Sequence, residues 1–599
     1  MRRRHDLPFG ASLVPDGVRF RLWAPAARAV ELVLDGERAA MAMRPEGDGW
    51  FVLTTAAAGA GTRYRYRVDG TAVPDPASRY QPEDVHGYSE VIDPDAYEWG
   101  DDAWRGRPWE EIVFYEIHVG VFSDAGDFAG AHAHLDHVAA LGATAVEIMP
   151  VADFAGRRNW GYDGVLPFAP ATAYGRPEDL KRLVEACHRR GLAVFLDVVD
   201  NHFGPEGNYL GRYAPTFFTE RHHTPWGAAI NFDGPGAHAV RQFYIENALY
   251  WLEEFHLDGL RFDAVHAICD TSQRHILVEI SDAVATRLVP DRPIHLVLEN
   301  DRNEAWPLMR DPKRRFRFAG QWNDDLHHAL HVLATGDTAG YYADYADAPV
   351  ARLGRALAEG FAYQGEPSAY RRGKRRGEPS ADLPPTAFVA FVQNHDQVGN
   401  TPLGTRLSHV APPERVRLVT AIALLSPQIP LLFMGEEWAA AQPFPFFCDF
   451  GPELADAVRD GRRREFEHFP GFRDQLPDPC AVETFASAKL DWDARDRAPH
   501  RQWLEWYRAV IAVRAREIVP RLPGISGGRG KFAVFGEQGL AVDWSLGDGS
   551  RLWLHANFGP VPLMLERAPP GRLLSRQATS DSRGDVLPPL SAVFHLDEA

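Results

Sequence analysis

Over the first hundred residues, polar and apolar positions alternate in short runs: Val18-Arg19-Phe20-Arg21-Leu22-Trp23, Val30-Glu31-Leu32-Val33-Leu34 and Tyr64-Arg65-Tyr66-Arg67-Val68. Strand side chains point to opposite faces in turn, so these runs, parted by Asp-Gly and Gly-rich turns, predict a small β-sandwich over 1–99. Pro74, Pro76 and Pro82 break the alternation and mark a linker.

After Trp109 the rhythm changes. Eight short apolar runs follow: Val113–Val119, Ala145–Met149, Ala193–Val198, Leu257–Asp263, Ile294–Glu299, Phe316–Gln321, Ala387–Gln393 and Leu431–Met434. Helical spacing lies between them, as in Leu180, Leu183, Val184, Cys187 and in Val240, Tyr244, Ala248, Trp251, Phe255. Runs without alternation are buried on both faces, the mark of parallel strands covered by helices. The expectation is an α/β (β/α)8 TIM barrel over 100–518, with a short insertion after the third strand. An open doubly wound sheet fits the same alternation. A helix from Gln502 to about Glu517 closes the barrel. Strands at Phe532–Phe535, Leu540–Trp544 and Leu552–His555 then predict a C-terminal β-sandwich over 519–599.

At 599 residues the chain exceeds one ordinary core, in keeping with three parts. Acidic residues number 82 against 64 basic ones, a net charge of −18 that repels a phosphate backbone and argues against nucleic acid as a partner. Neither a signal-peptide pattern nor an apolar run of membrane-spanning length is present, so no membrane partner and a cytoplasmic location are expected, as monomer or homodimer. The four cysteines, Cys187, Cys269, Cys448 and Cys480, lack metal-ligand spacing and read as reduced packing residues. His327 and His331, like His134 and His137, read as hydrogen-bonded or solvated rather than metal-binding, for want of a third ligand. The basic run Arg371 to Arg376 reads as a solvated loop.

Chemistry gathers at four strand ends, where a barrel keeps its active site: Asp197 to His202, Gly259 to His266, Leu296 to Asp301 and Phe391 to Asp396. Arg261 and Asp263 are two apart on a strand and share a face, so the guanidinium keeps the carboxylate ionised, as a nucleophile must be. Glu299 follows Leu296-Val297-Leu298, where desolvation favours the protonated form that a general acid needs. Two carboxyls with acidities pushed apart on adjacent strands suit glycoside hydrolysis with retention. Asp396 and His395 add a third carboxylate and a donor; Asp197 and His202 do likewise. Taken singly, each also fits a structural role.

Together the four segments resemble the four characteristic regions of the α-amylase superfamily of retaining α-glucan enzymes. The resemblance spans nearly the whole chain, its N-terminal part being similar to the starch-binding-like domain of branching enzymes and isoamylases. It implies Asp263 as nucleophile, Glu299 as acid/base and Asp396 as transition-state stabiliser. It further implies that Asp197, His202, Arg261 and His395 hold the sugar in subsite −1, and that Tyr162 and Asp163, in Trp160-Gly161-Tyr162-Asp163-Gly164, belong to the segment whose Tyr stacks on that sugar. Asn201 stands where amylases often recruit calcium, but no oxygen-rich loop surrounds it, so neither metal nor cofactor is expected. His266-Ala267 replaces the Lys-His that many amylases carry after the nucleophile.

Four further segments, Gln321 to His328, Tyr363 to Glu366, Leu432 to Trp438 and Ser487 to Trp492, narrow the resemblance to the trehalose-releasing subfamily. The implied substrates are maltooligosyltrehalose and α-1,4-glucan oligosaccharides, with His266 and Asn323 assigned to the leaving-group side. A branching or debranching enzyme and an inactive glucan-binding protein are the alternatives.

Overall fold

The structure, a computed structural model, describes residues 4–37, 39–288, 292–309, 318–466, 475–566, 568–578 and 585–598. Eight parallel strands close into a barrel in chain order: Phe114–Ile117, Ala145–Ile148, Ala193–Val198, Gly259–Phe262, His295–Leu298, Gly320–Trp322, Phe388–Ala390 and Ile429–Phe433. The eighth pairs back onto the first, Leu431 with Phe114, which removes the open-sheet alternative. Each of the eight predicted runs carries one of these strands; in the sixth, Phe316 and Arg317 lie outside the described residues and pairing starts at Gly320.

Phe114, Phe195, Val297, Trp322, Phe391 and Leu431 fill the barrel's interior. Each such side chain taken from water contributes about 1.5–3 kcal/mol, so the interior is a packed core and the chemistry is left to the rim. Gly259 permits this packing: a Cβ there would lie 2.2 Å from the Phe195 ring and 2.3 Å from the His295 carbonyl oxygen. The predicted helical segments appear as Pro177–Arg189 and Ala237–Glu254. The closing helix runs His500–Val513 and continues as a π-helical turn, Arg514–Ile518. Buried Arg514 explains why the chain stays wound there, since its guanidinium donates to the carbonyls of Leu424, Ser426 and Gln428 at 2.9, 2.6 and 2.7 Å.

Ahead of the barrel, two sheets of four and five strands face each other over Phe20, Leu32, Tyr64 and Tyr66. The Pro-rich stretch after them is not a free linker. Asp75 in it is fully buried and accepts from Tyr64 and Tyr66 hydroxyls at 2.7 and 3.1 Å. The sandwich is fastened to the helix Ala237–Glu254: His5 lies between Glu253 and Glu246 at 2.5 and 2.9 Å, and Phe9 meets Phe243 edge-on at 5.3 Å. Beyond the barrel, five antiparallel strands and a separate two-stranded ribbon form a β-rich C-terminal part. Its Trp544 donates to Leu357 O at 2.9 Å, docking the sheet on the helix Pro349–Glu359. Among the described residues no helix is long and apolar enough to cross a membrane.

Candidate active site

Parallel pairing sets Asp197 beside Arg261, and the two-residue period brings Asp263 to the same inward face. Arg261 is fully buried, with its guanidinium 4.1 Å above the Trp322 ring. One nitrogen, Nη1, donates to Asp197 Oδ2 at 2.6 Å and Asp263 Oδ1 at 2.9 Å; Nε and Nη2 have no protein partner. Asn201 fixes the other carboxylate oxygen of Asp263, donating to Oδ2 and to the Asp263 carbonyl at 2.9 Å each. The Asn201 side-chain oxygen is engaged by His202, so both ends of this amide have partners within the protein.

The fourth strand ends at Phe262, and the chain turns sharply after Asp263, where Ala264 sits in the left-handed region at φ 41°. A non-glycine residue there is strained, and the turn aims the Ala264 N–H at Glu299 Oε2, 2.5 Å away. Burial pushes the Glu299 carboxyl well above the usual range; Arg261 works against this, and the carboxylates of Asp263, Asp324 and Asp396 work with it.

Asn394, after the seventh strand, caps the short helix His395–Gly399 by accepting from Gln397 N at 3.0 Å, which turns His395 inward. Glu116 of the first strand takes hold of it, with Oε1 2.5 Å from Nδ1 and Oε2 accepting from the backbone N–H at 3.0 Å. On the other ring edge, Nε2 lies 2.8 Å from the Tyr162 hydroxyl and 3.4 Å from Asp396 Oδ1. Burial opposes a charge on His395, but Asp396 and Glu116 outweigh it and raise the imidazole well above its ordinary value. For Asp396 burial acts upward and the His395 cation more strongly downward, so it stays ionised. The Tyr162 ring stacks on His395 at 5.2 Å, and its hydroxyl donates to Asp197 Oδ2 at 2.6 Å. His202 reaches the Tyr162 carbonyl at 2.9 Å and stacks on Trp226 at 4.4 Å. Thus Tyr162, Asp197, His202, Arg261, Asp263, Glu299, His395 and Asp396 converge on one rim. Asp163 stands behind it, its carboxylate taken by Asn159 Nδ2 at 2.7 Å.

Three family models match the chain: the alpha amylase catalytic domain over residues 91–222, carbohydrate-binding module 48 (isoamylase N-terminal domain) over 8–94, and a domain of unknown function, DUF3459, over 527–594. A malto-oligosyltrehalose trehalohydrolase from Saccharolobus solfataricus is 43% identical over 85% of this chain and 87% of its own. Another, from Rhizobium sp. strain M-11, is 40% identical over 97% and 98%. The chain belongs to the malto-oligosyltrehalose trehalohydrolase family. A Salmonella typhimurium protein assigned as an alpha amylase shares its fold, with a TM-score of 0.94 at 46% identity over 99% of this chain and 100% of that one.

On the side where a member of this family would hold its leaving group, the structure corrects one expectation. Asn323 is fully buried and does not line the cleft. It caps the helix Asp324–Thr335 by accepting from Leu326 N at 3.2 Å, and its amide donates to Gly360 O at 2.9 Å and Gln428 Oε1 at 3.0 Å. The next residue, Asp324, lines the cleft instead. This cavity of about 270 Å³ is walled by Glu299, Asp301, Asp324, Tyr341, Arg371 and Asp396. His266 does stand at the rim, where its Nδ1 accepts from Asp301 N at 3.4 Å. The basic run is likewise more than a solvated loop. Arg376 is buried against Asp325 at 2.7 Å and Tyr345 at 2.6 Å, and Arg371 pairs with Asp301 at 2.5 Å.

Sequence reasoning also passed over Glu116 and Glu147. Each is a single acid inside an otherwise apolar strand, Phe114–Ile117 and Ala145–Ile148, and that pattern is itself the signal of an inward-facing functional group. Glu147 has no protein partner on either oxygen, and burial, with Glu116 nearby, holds it well above the carboxylate range.

Proposed function

We propose that the protein is a retaining glycoside hydrolase that cleaves the α-1,4 bond between a maltooligosaccharide and a terminal trehalose in maltooligosyltrehalose, releasing trehalose. One observation carries the chemistry. Phe262 pairs with Leu298, so Asp263 and Glu299 are the next residues on two adjacent strands. Neighbouring strands lie about 4.8 Å apart, which suits the roughly 5–5.5 Å between the carboxyls of a retaining pair rather than the wider gap of an inverting one.

In this reading Glu299 protonates the glycosidic oxygen while Asp263, held by Arg261 and Asn201, attacks the anomeric carbon of the −1 glucose. Trehalose leaves, and Glu299 then takes a proton from the water that releases the maltooligosaccharide in its α form. Tyr162 provides the stacking face, while His395, His202, Asp197 and ionised Asp396 hold the sugar hydroxyls. His266, Asp301 and Asp324 face the departing trehalose. Four free cysteines are in keeping with a cytoplasmic location.

The names of the relatives support the substrate, and product analysis tests it. Incubation with maltooligosyltrehalose beside maltoheptaose is expected to yield trehalose from the first and little from the second. New branch points on amylose would assign the site to a transferase instead.

A further inference from the structure

Cys448 and Cys480 are 32 residues apart in the chain, yet their sulfurs lie 3.4 Å from each other. The two segments are bound side by side independently of the sulfurs: Cys448 N donates to Pro479 O at 2.9 Å, and the Phe447 and Phe485 rings meet at 5.1 Å. Each flank is anchored in turn. Asp449 accepts from Arg157 N at 2.9 Å and pairs with Arg158, while Asp478 accepts from Cys480 N and from Arg459 Nε, all at 2.9 Å. A disulfide has its sulfurs about 2.05 Å apart, so closure asks for roughly 1.3 Å of movement, within reach of side-chain rotation.

We propose that Cys448 and Cys480 are a modification site, a dithiol that oxidises reversibly to a disulfide and staples the loop behind the sugar-stacking wall. That loop is close to the chemistry: Trp160 stacks on Phe444 at 5.1 Å, donates to Pro445 O at 3.1 Å, and meets His395 edge-on at 5.6 Å.

The difference in burial assigns the roles. Cys480 is partly exposed and meets the oxidant; Cys448 is buried, and that burial, with the Cys480 sulfur beside it, pushes its thiol up and suits it to the second step. With hydrogen peroxide as oxidant, the Cys480 thiolate attacks one peroxide oxygen and the O–O bond breaks, giving a sulfenic acid and hydroxide, which takes up a proton to become water. The Cys448 sulfur then attacks the sulfenyl sulfur. The S–S bond forms, the S–O bond breaks, and the oxygen leaves with the thiol proton as a second water. Two electrons pass from the sulfurs to the peroxide, and a dithiol reductant reverses the change.

Thiol titration of the denatured full-length chain, before and after peroxide treatment, tests this. The count should fall from four to the two of Cys187 and Cys269 and return with dithiothreitol. A non-reducing digest should yield one peptide pair joined through Cys448 and Cys480, and the oxidised protein should melt higher than the reduced one. Cys480→Ser should give neither the joined peptides nor the rise. Four persisting thiols, a bond to another cysteine or to a second copy, or an unchanged melting temperature despite the bond would overturn the proposal.

Discussion

The two ends of the barrel carry the same kind of buried histidine–carboxylate cluster and use it in opposite ways. At the base, His188 lies between Asp101 and Asp258 at 2.9 and 3.0 Å, and Asp258 also accepts from Arg292, Trp104 and Val194 N at 2.7, 2.8 and 2.9 Å. Every side-chain nitrogen and oxygen of Asp101, His188 and Asp258 is matched. At the rim, Arg261 Nε and Nη2, Asp197 Oδ1, Asp200 Oδ2 and both oxygens of Glu147 are buried without a protein partner. Burial lifts Asp197 to about 7 and Asp200 to about 8. A matched cluster stabilises; an unmatched one costs stability and leaves buried donors and acceptors open at the rim.

The sharpest break between the two ends should come at the rim. Asp263→Asn and Glu299→Gln are each expected to lower kcat by roughly 10,000-fold or more, with the fold retained. Glu299 must carry its proton to act as an acid, so kcat/KM should fall as pH rises through its raised value. On α-maltosyl fluoride, whose leaving group needs no proton, Glu299→Gln should still form the glycosyl-enzyme, without that alkaline decline. Near-normal turnover of the natural substrate by either variant would refute the assignment.

The base should answer in stability. Asp258→Asn or His188→Gln breaks a buried ion pair and should cost about 3–5 kcal/mol, read as a lower melting temperature with kcat/KM at 25 °C changed by less than about twofold. The pH dependence has a definite sign. His188 is raised in the folded chain although its burial acts downward, because Asp258 and Asp101 face it. Its contribution is therefore complete below about 6.5 and is lost as pH climbs through the folded value. Asp101 is depressed against its own burial by His188 and His256, so its share is complete above about 3.9 and is lost as pH falls through the folded value. Melting curves across pH should show a plateau between these limits, with the alkaline decline weaker in His188→Gln.

Smaller effects refine the boundary. Asn323→Ala removes a helix cap and two buried hydrogen bonds and should cost about 2–3 kcal/mol while leaving KM unmoved; a large rise in KM would return Asn323 to the leaving-group side. Glu147→Gln exchanges one partnerless acid for its neutral isostere and should shift stability by less than about 1 kcal/mol.

Much of this was legible because burial on both faces leaves parallel strands as plain apolar runs, and a polar residue ending such a run belongs to a rim. Asp263 and Glu299 were placed at the rim in that way, and Asp396 by following just after such a run. Parity offered no help with Asn323, because the strand Gly320–Trp322 is too short to fix which of Asn323 and Asp324 points inward. Arg376 was misread because a charge run shows its neighbours in the chain and not its partner Asp325 on the helix Asp324–Thr335. The buried Pro-rich stretch hid similarly, since proline breaks a pattern whether the chain is free or pinned.

The joint between the N-terminal sandwich and the helix Ala237–Glu254 is built of ring contacts and a doubly gripped histidine, not of flexible chain. A domain mounted so stiffly does not swing on a tether. It keeps one bearing toward the barrel, so the two surfaces present a fixed spacing to anything that meets both.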